Sequence, residues 1–462
     1  MEKYDVIVIG AGPGGYPCAI RLGQLNKRVL VVEAKLLGGL CLNWGCIPTK
    51  ALSFAAELVD NFEKAKRMGF DFTINGFDLD KLRGWKELVV KRLRTGVEYL
   101  FKSNDVEWKQ GRARIVSEHA VEVEQDGATE TFEAENIVIA TGTEVIALPG
   151  LDFDHKYVID TDDALDLADI PESLLVVGAG ASGLEMATIY SRLGSKVTVV
   201  EIMKQILPGM ESELCEQLCK IIRKSGIDIF LDSQVKKYSL QDNLLRVSIE
   251  KEGNTIEETY NKILVTVGRR PLNTAFEGID LHVDKKGYLQ VDDCLRTSKS
   301  NIYAIGDIVG PPLLAHKATK QGVIVAELIA GVRKTYEQSV VPSCVFTIPP
   351  LSSVGLTEKE AIEQGHKVVV GRFPYRASGK AVSMGETEGM VKIVGAEGGK
   401  LLGAHILGAE SSNLIGEAIL AVDKGLSVEE IAESIHPHPT LTETMQEAAE
   451  NFYKKATHIA NK

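Results

Sequence analysis

Cys41 and Cys46 stand in the stretch GGLCLNWGCIPTK, with four residues between them. Two thiols at that distance can bridge if their Cα atoms come within roughly 4.4–6.8 Å. Five steps along a regular helix climb about 7.5 Å, so the segment holding Cys41 is expected to leave helical geometry. Gly38, Gly39, Asn43 and Gly45 are the residue types that allow such a bend. Cys46 can then open the next helix, where the backbone dipole favours a thiolate. A structural staple has no use for this arrangement. The pair reads as a disulfide that is reduced and re-formed during catalysis.

Thiol–disulfide exchange needs a base, and the other end of the chain offers one. It reads His436-Pro437-His438-Pro439-Thr440-Leu441-Thr442-Glu443. Histidine moves protons near neutral pH, and a carboxylate can orient it and stabilise its cationic form. Glu443 can return to His438 if Thr440 to Glu443 start a helix. Taken alone, HPHP is equally a structural turn. Two histidines at i and i+2 lack a third ligand, so no metal is expected there. No other histidine–carboxylate element of this form is expected in the chain.

The elements that must hold these groups repeat. A β-like run from Tyr4 to Ile9 leads into Gly10, Gly12, Gly14 and Gly15, then a helical pattern, then a strand ending at Glu33. The run LLVVG leads into Gly178, Gly180 and Gly183, then a helix, then KVTVVE ending at Glu201. Gly10, Gly12, Gly15 and Glu33 map onto Gly178, Gly180, Gly183 and Glu201 by one shift of 168 positions. In both copies an acid lies 18 residues past the last glycine, the spacing of a dinucleotide-binding βαβ unit. The glycines permit a tight turn and close approach to a pyrophosphate, and the acid accepts from a ribose diol. Two dinucleotides with one redox disulfide imply a flavin and a nicotinamide. FAD belongs to the first unit, because the cysteines follow it. NAD belongs to the second, because Glu201 would repel the 2′-phosphate of NADP; Lys204 is the only base nearby.

The segments 135–145 and 262–273 each read as a buried strand ending in a turn, closing the two units. Strand Ile302 to Ile305 then delivers Asp307 to the end of a parallel sheet, where ligands bind. We assign Asp307 to flavin ribityl hydroxyls. From about Val340 strands alternate with amphipathic helices and no glycine loop recurs. This divides the chain into a FAD-binding domain (1–149), an NAD-binding domain (150–270), a central domain completing the FAD site (271–339) and an interface domain (340–462).

Composition narrows the class. The 462 residues allow about three domains. The net charge of −12 and the lack of a basic tract argue against nucleic acid. No run approaches the ~20 apolar residues of a membrane span, and no secretory signal is visible. Seven cysteines, an odd number, fit a reducing, cytoplasmic setting better than a disulfide framework. Cys215 and Cys219 are expected in the core of a helix, and Cys18, Cys294 and Cys344 as small buried hydrophobes.

Together these residues resemble the pyridine nucleotide–disulfide oxidoreductases, most closely the branch that oxidises dihydrolipoyl groups. The resemblance spans essentially the whole chain. It rests on the GGxCLNxGCIPxK core, the ATG turn, the two glycine loops, GRRP, AIGD with LLAHKA, and GEAI before HPHPTLTE. It implies an α/β fold of two Rossmann-like dinucleotide-binding domains plus a C-terminal α+β dimerisation domain. It also implies that Cys41 exchanges with substrate and Cys46 faces the flavin. His438, from the partner subunit, is selected over His436 because it precedes Pro-Thr and has Glu443 five residues on. Lys50 is implied beside the flavin with Glu185 as its partner. Ala113, Thr141, Gly142, Leu314, Ala315 and His316 join the FAD contacts, and Val235 and Gly268 the NAD contacts. The implied partners are a second copy of the chain and either the lipoyl domain and core acyltransferase of a 2-oxoacid dehydrogenase complex or the lipoyl carrier protein of glycine cleavage. Leu40, Trp44 and Thr49 depart from the usual threonine, small aliphatic and serine of the core, and Pro17 sits early in the first loop's helix, where proline is tolerated. Glutathione-type reduction is disfavoured by Glu201, and mercuric reduction by the lack of a C-terminal cysteine pair. A role mainly as a docking component of a multienzyme complex would not need Cys41, Cys46 and His438 together.

Overall fold

Strand Lys3–Ile9 buries Val6, Ile7 and Val8 completely, as a central parallel strand covered on both faces must. It pairs in parallel with Val29–Glu33 on one side and Ala128–Ile139 on the other. Val106–Gln110 adds to the outer edge beside Val29–Glu33. The computed structural model describes residues 2–73, 75–251, 253–333, 335 and 340–461. Ala128–Ile139 is long enough to serve twice: its first half pairs antiparallel with Ala120–Gln125, and its second half lies in the parallel sheet. Strand Ile302–Ala304 returns from far along the chain to pair with that second half.

The second unit repeats this plan. Its parallel sheet runs Asp228–Phe230, Lys196–Val200, Ser173–Val177, Lys262–Val265, Val158–Ile159. An antiparallel meander, Ser233–Gln241, Leu244–Lys251 and Asn254–Tyr260, covers it. Thr143–Val145 and Arg269–Pro271 pair with each other, tying the ends of the two units together.

The last sheet has five antiparallel strands, ordered Ser343–Val345, Leu351–Gly355, Leu401–Leu407, Met390–Ala396, Val368–Pro374. Helices Ser411–Lys424 and Glu443–Phe452 pack on it through Ile415, Ala418, Met445 and Ala448. The approach is close at Gly371, where an added Cβ would stand 2.0 Å from the Ala448 carbonyl oxygen. The expected boundary at 339/340 falls against 336–339, outside the described residues.

Cys18, Cys215 and Cys219 are buried as expected, the last two in helix Ser212–Lys224. Cys294 and Cys344 are not; both are half-exposed. Cys294 lies in a loop turn where Asp292 accepts its N–H, and Cys344 lies on the edge strand of the last sheet. Among the described residues no helix is long and apolar enough to cross a membrane.

Candidate active site

The glycines of each loop divide the work in the same way. The first is needed for the turn: a Cβ at Gly10 would lie 2.4 Å from the Ala140 carbonyl oxygen, and one at Gly178 2.9 Å from that of Thr266. Both have positive φ. The last lets the helix sit on the loop, since a Cβ at Gly15 or Gly183 would lie 1.9 or 2.1 Å from the oxygen of Gly10 or Gly178. The middle one faces open space. A Cβ at Gly180 would meet nothing within 4 Å, and one at Gly12 only Gly39 Cα at 3.9 Å. Helices Gly15–Gln24 and Ala181–Arg192 begin at these loops, so their free N–H groups point where a pyrophosphate would lie. Pro17 is the third residue of its helix, where no intrahelical bond is lost.

The acids repeat as well. Glu33 accepts the N–H groups of Ala11 and Lys35, each at 2.8 Å. Glu201 accepts those of Ala179 and Met203 at 2.7 and 2.9 Å. Each carboxylate has about four lone-pair sites, so two stay available for a ribose diol. Each cradle has the geometry of a dinucleotide site.

Asp307 sits in the turn Gly306–Val309, and burial pushes its carboxyl above the usual range against the pull of Lys317 and Arg269. Its hydrogen bond from Thr143 Oγ1 is long, 3.5 Å, leaving capacity for hydroxyl groups. Thr141 Oγ1 donates to the Leu272 carbonyl at 2.9 Å, and Gly142 has φ +71°. Leu314 caps helix Ala315–Ile329, and His316 Nε2 meets the Pro342 carbonyl at 2.8 Å. Ala113 lies on strand Arg112–Ser117 and packs against the first unit's core. Val235, on strand Ser233–Gln241, packs on the second unit's core, and Gly268 (φ +134°) precedes strand Arg269–Pro271.

Cys41 and Cys46 are disulfide-bonded, with Cα atoms 4.7 Å apart. The segment holding Cys41 leaves helical geometry as its spacing requires, and it does so between the two cysteines. Cys41 belongs to a short helix, Gly39–Trp44, and Cys46 is the first residue of the next, Cys46–Arg67. The entire break falls on Gly45 (φ −141°, ψ −110°). One residue off the helical path turns the second helix so that its first side chain meets the first helix. Asn43 holds the short helix in place, donating from Nδ2 to the carbonyls of Leu37 and Gly39 at 2.9 Å. Lys35 Nζ lies 5.3 Å from the centre of the Trp44 ring.

Lys50, one turn beyond Cys46, donates to Glu185 Oε2 at 2.9 Å and stands 4.0 Å over the Phe346 ring. Glu185 Oε1 accepts the Phe346 N–H at 2.9 Å. This one carboxylate therefore joins the disulfide helix, the second unit's loop helix and the last domain. The role of Phe346 had no sequence signal, because a backbone N–H carries no residue type. The same holds for Gly39 as the neighbour of Gly12.

His438 and Glu443 meet, Nδ1 to Oε1 at 2.8 Å. Glu443 begins helix Glu443–Phe452 instead of ending its first turn, and its other oxygen accepts the Thr440 N–H at 2.8 Å. Burial raises the Glu443 carboxyl, but the Thr440 N–H and His438 outweigh it and hold it below the usual range. The carboxylate accepts from Nδ1–H, which leaves Nε2 as the free proton acceptor. Among the described residues no other histidine–carboxylate pair has the carboxylate five residues beyond the histidine. His155–Asp163, His436–Glu417 and His458–Glu447 are pairs too, built from contacts that sequence spacing does not single out.

The family profile of the pyridine nucleotide-disulphide oxidoreductases matches residues 4–322, and that of their dimerisation domain matches 341–449. The chain belongs to this family. It is 45% identical to a dihydrolipoyl dehydrogenase of Thermus scotoductus, over 100% of both chains. It is 42% identical to one of Haloferax volcanii and 39% to one of Geobacillus stearothermophilus, each over 99% of this chain and 98% of the relative. The HOCl-induced flavoprotein disulfide reductase RclA of Escherichia coli, solved as a Cu(II) complex, superposes with a TM-score of 0.86 at 28% identity, covering 97% of this chain and 99% of the other. This family member is thus an oxidoreductase with a Cys41–Cys46 disulfide and two dinucleotide cradles.

Proposed function

We propose that the protein is a dihydrolipoyl dehydrogenase acting as a homodimer, with His438 of one copy serving the Cys41–Cys46 pair of the other. The disulfide beside the first cradle, with an exposed His438–Glu443 pair elsewhere in the chain, carries the reading. His438 Nε2 takes a proton from a dihydrolipoyl thiol. The resulting thiolate attacks Cys41 Sγ, the Cys41–Cys46 bond breaks, and Cys46 leaves as thiolate. Its place at the start of helix Cys46–Arg67 stabilises that charge. The second substrate sulfur attacks the substrate sulfur of the mixed disulfide and closes the oxidised lipoyl ring. Cys41 leaves with the first proton, given by His438, and His438 Nε2 then takes the proton of the second thiol. FAD held by Gly10, Gly12, Gly14, Gly15, Glu33, Lys50 and Asp307 supplies the two-electron acceptor, with NAD+ at Gly178, Gly180, Gly183 and Glu201 as the final hydride acceptor.

The lipoyl group would arrive on a lipoyl domain of a 2-oxoacid dehydrogenase complex, whose core acyltransferase would dock the dimer, or on the carrier protein of glycine cleavage. A cytoplasmic setting accords with the free Cys18, Cys215 and Cys219. The division at 149/150, 270/271 and 339/340 is our reading of the sheets, supported by the return of Ile302–Ala304 to the first one. NAD-dependent oxidation of dihydrolipoamide by the purified holoenzyme tests the assignment. Its absence, alongside NADPH-driven glutathione reduction, would replace this reading with a glutathione-type reductase.

A further inference from the structure

Within its own copy of the chain, the segment that carries His438 has little to hold it. Residues Glu433 to Pro439 join helices Val428–Ala432 and Glu443–Phe452 without regular structure, and within that stretch every residue but His436 is exposed. Ile435 is 99% exposed and the His438 side chain 78%. The His436 side chain is only 7% exposed. Its two ring nitrogens both face oxygen acceptors: Nε2 lies 3.0 Å from Glu417 Oε1, and Nδ1 lies 3.0 Å from the Ser434 carbonyl oxygen. A neutral imidazole has one N–H and can satisfy only one of these. The other nitrogen would then turn a lone pair toward an oxygen, at a cost for a group so enclosed. Both contacts are satisfied together only by the imidazolium.

Glu417 is a firm anchor. It lies on helix Ser411–Lys424, between Ile415 and Ala418, which are buried in the core of the last domain. The charged groups facing His436 are Glu417 from that helix and Glu443 from the first turn of Glu443–Phe452, both negative.

Building on the reading of His438 as proton acceptor, we propose that His436 is a positioning residue: as an imidazolium bound to Glu417 it pins the segment bearing His438, and losing its proton frees that segment. The Glu417 hydrogen bond raises the His436 pKa, opposed by burial and assisted by the Ser434 carbonyl and Glu443. Because the folded value lies above the ordinary one, the pinned state is complete below the ordinary histidine value of about 6.5. It is lost as pH rises through the raised value. A base two residues away must be held to within about 0.5 Å to transfer a proton efficiently, and a displacement of about 1 Å can cost about a hundredfold.

The test compares wild type, His436→Gln, Glu417→Gln and His438→Gln as holoenzymes, following flavin reduction by dihydrolipoamide and by NADH from neutral to alkaline pH. Wild type should show an alkaline decline in the dihydrolipoamide reaction alone. His436→Gln should lower that reaction about tenfold at neutral pH and abolish the decline, with the NADH reaction unchanged. Glu417→Gln should move the decline to lower pH, because the carboxylate that holds the proton is gone. Imidazole nitrogen NMR of wild type, with the His436 signal identified by its loss in His436→Gln, should show both nitrogens predominantly protonated at about pH 6.5. A decline that persists in His436→Gln, or a predominantly neutral, single-tautomer His436 at about pH 6.5, overturns the proposal. An unchanged dihydrolipoamide reaction in His438→Gln overturns the reading of His438 instead, while the NMR result still decides the state of His436.

Discussion

The two glycine cradles are built from the same parts and finished differently. Both have a turn glycine, a packing glycine and an acid that accepts two loop N–H groups, all related by the same shift of 168 positions. The first is roofed. After Glu33 the chain turns back through Gly38 and Gly39, both at positive φ, until a Cβ on Gly39 would stand 2.5 Å from Gly12 Cα. Helix Ala315–Ile329 closes its other side so tightly that a Cβ on Gly322 would lie 2.2 Å from the Gly14 carbonyl oxygen. The second is open over Gly180, and the residues after Glu201, Ile202 and Met203, are 62% and 51% exposed. The loop chemistry selects a dinucleotide in both cases. The surroundings decide whether it is enclosed beside a disulfide or free to exchange.

The contrast can be broken most severely at the disulfide. Cys46→Ser should lower dihydrolipoamide oxidation by about a thousandfold or more, because the exchange loses its leaving sulfur. NADH-driven reduction of a small artificial acceptor should persist, since it uses the cradles alone. Equal loss of both reactions would mean the pair does not separate the two halves. Next comes the roofed cradle itself. Gly15→Ala should destabilise the protein by about 3 kcal/mol and yield largely flavin-free chain, as its Cβ would clash with the Gly10 oxygen. Gly180→Ala, whose Cβ meets nothing, should keep full flavin content and a melting temperature near wild type, while the KM for NAD+ rises about tenfold through lost close approach to the phosphates.

A finer cut is Glu201→Gln. It should raise the KM for NAD+ about tenfold and narrow the preference over NADP, with flavin content unchanged. The smallest effect belongs to Asp162, which feels Lys35 beside the first cradle and Arg269 near the junction of the two units. Burial, then repulsion from Asp160, pushes its carboxyl up to about 6. The unfolded acid ionises near pH 4, so the folded state keeps its proton longer and loses stability as pH rises from about 4 to 6. Asp162→Asn should therefore stabilise the protein at pH 7 by about 1 kcal/mol, allowing for partial exposure, with no gain near pH 4. Thermal melts at the two pH values measure it.

Much of this was legible because it is local. A glycine loop, its strand and the acid 18 residues on form one βαβ unit, and the turn, helix start and acid are tied together within it. Thus Gly10, Gly15, Glu33 and their counterparts could be assigned from spacing, and so could the pairing of Cys41 with Cys46. Spacing required a break in the helix between the cysteines but did not say which residue makes it. Of the four residues that could bend, Gly45 alone breaks the helix, and Cys41 stays in the short helix before it.

The sequence by itself determined the two cradles, the redox pair and a histidine with a carboxylate five residues away, since these depend on distances within a few turns of chain. The tertiary structure decided which groups meet across long separations. Glu185 joins Lys50 to the Phe346 N–H, Gly39 covers Gly12, and Glu417 takes His436 out of solvent while His438 stays exposed. Such contacts arise when separate elements close on one another, and the packing that brings them together leaves no fixed interval in the sequence.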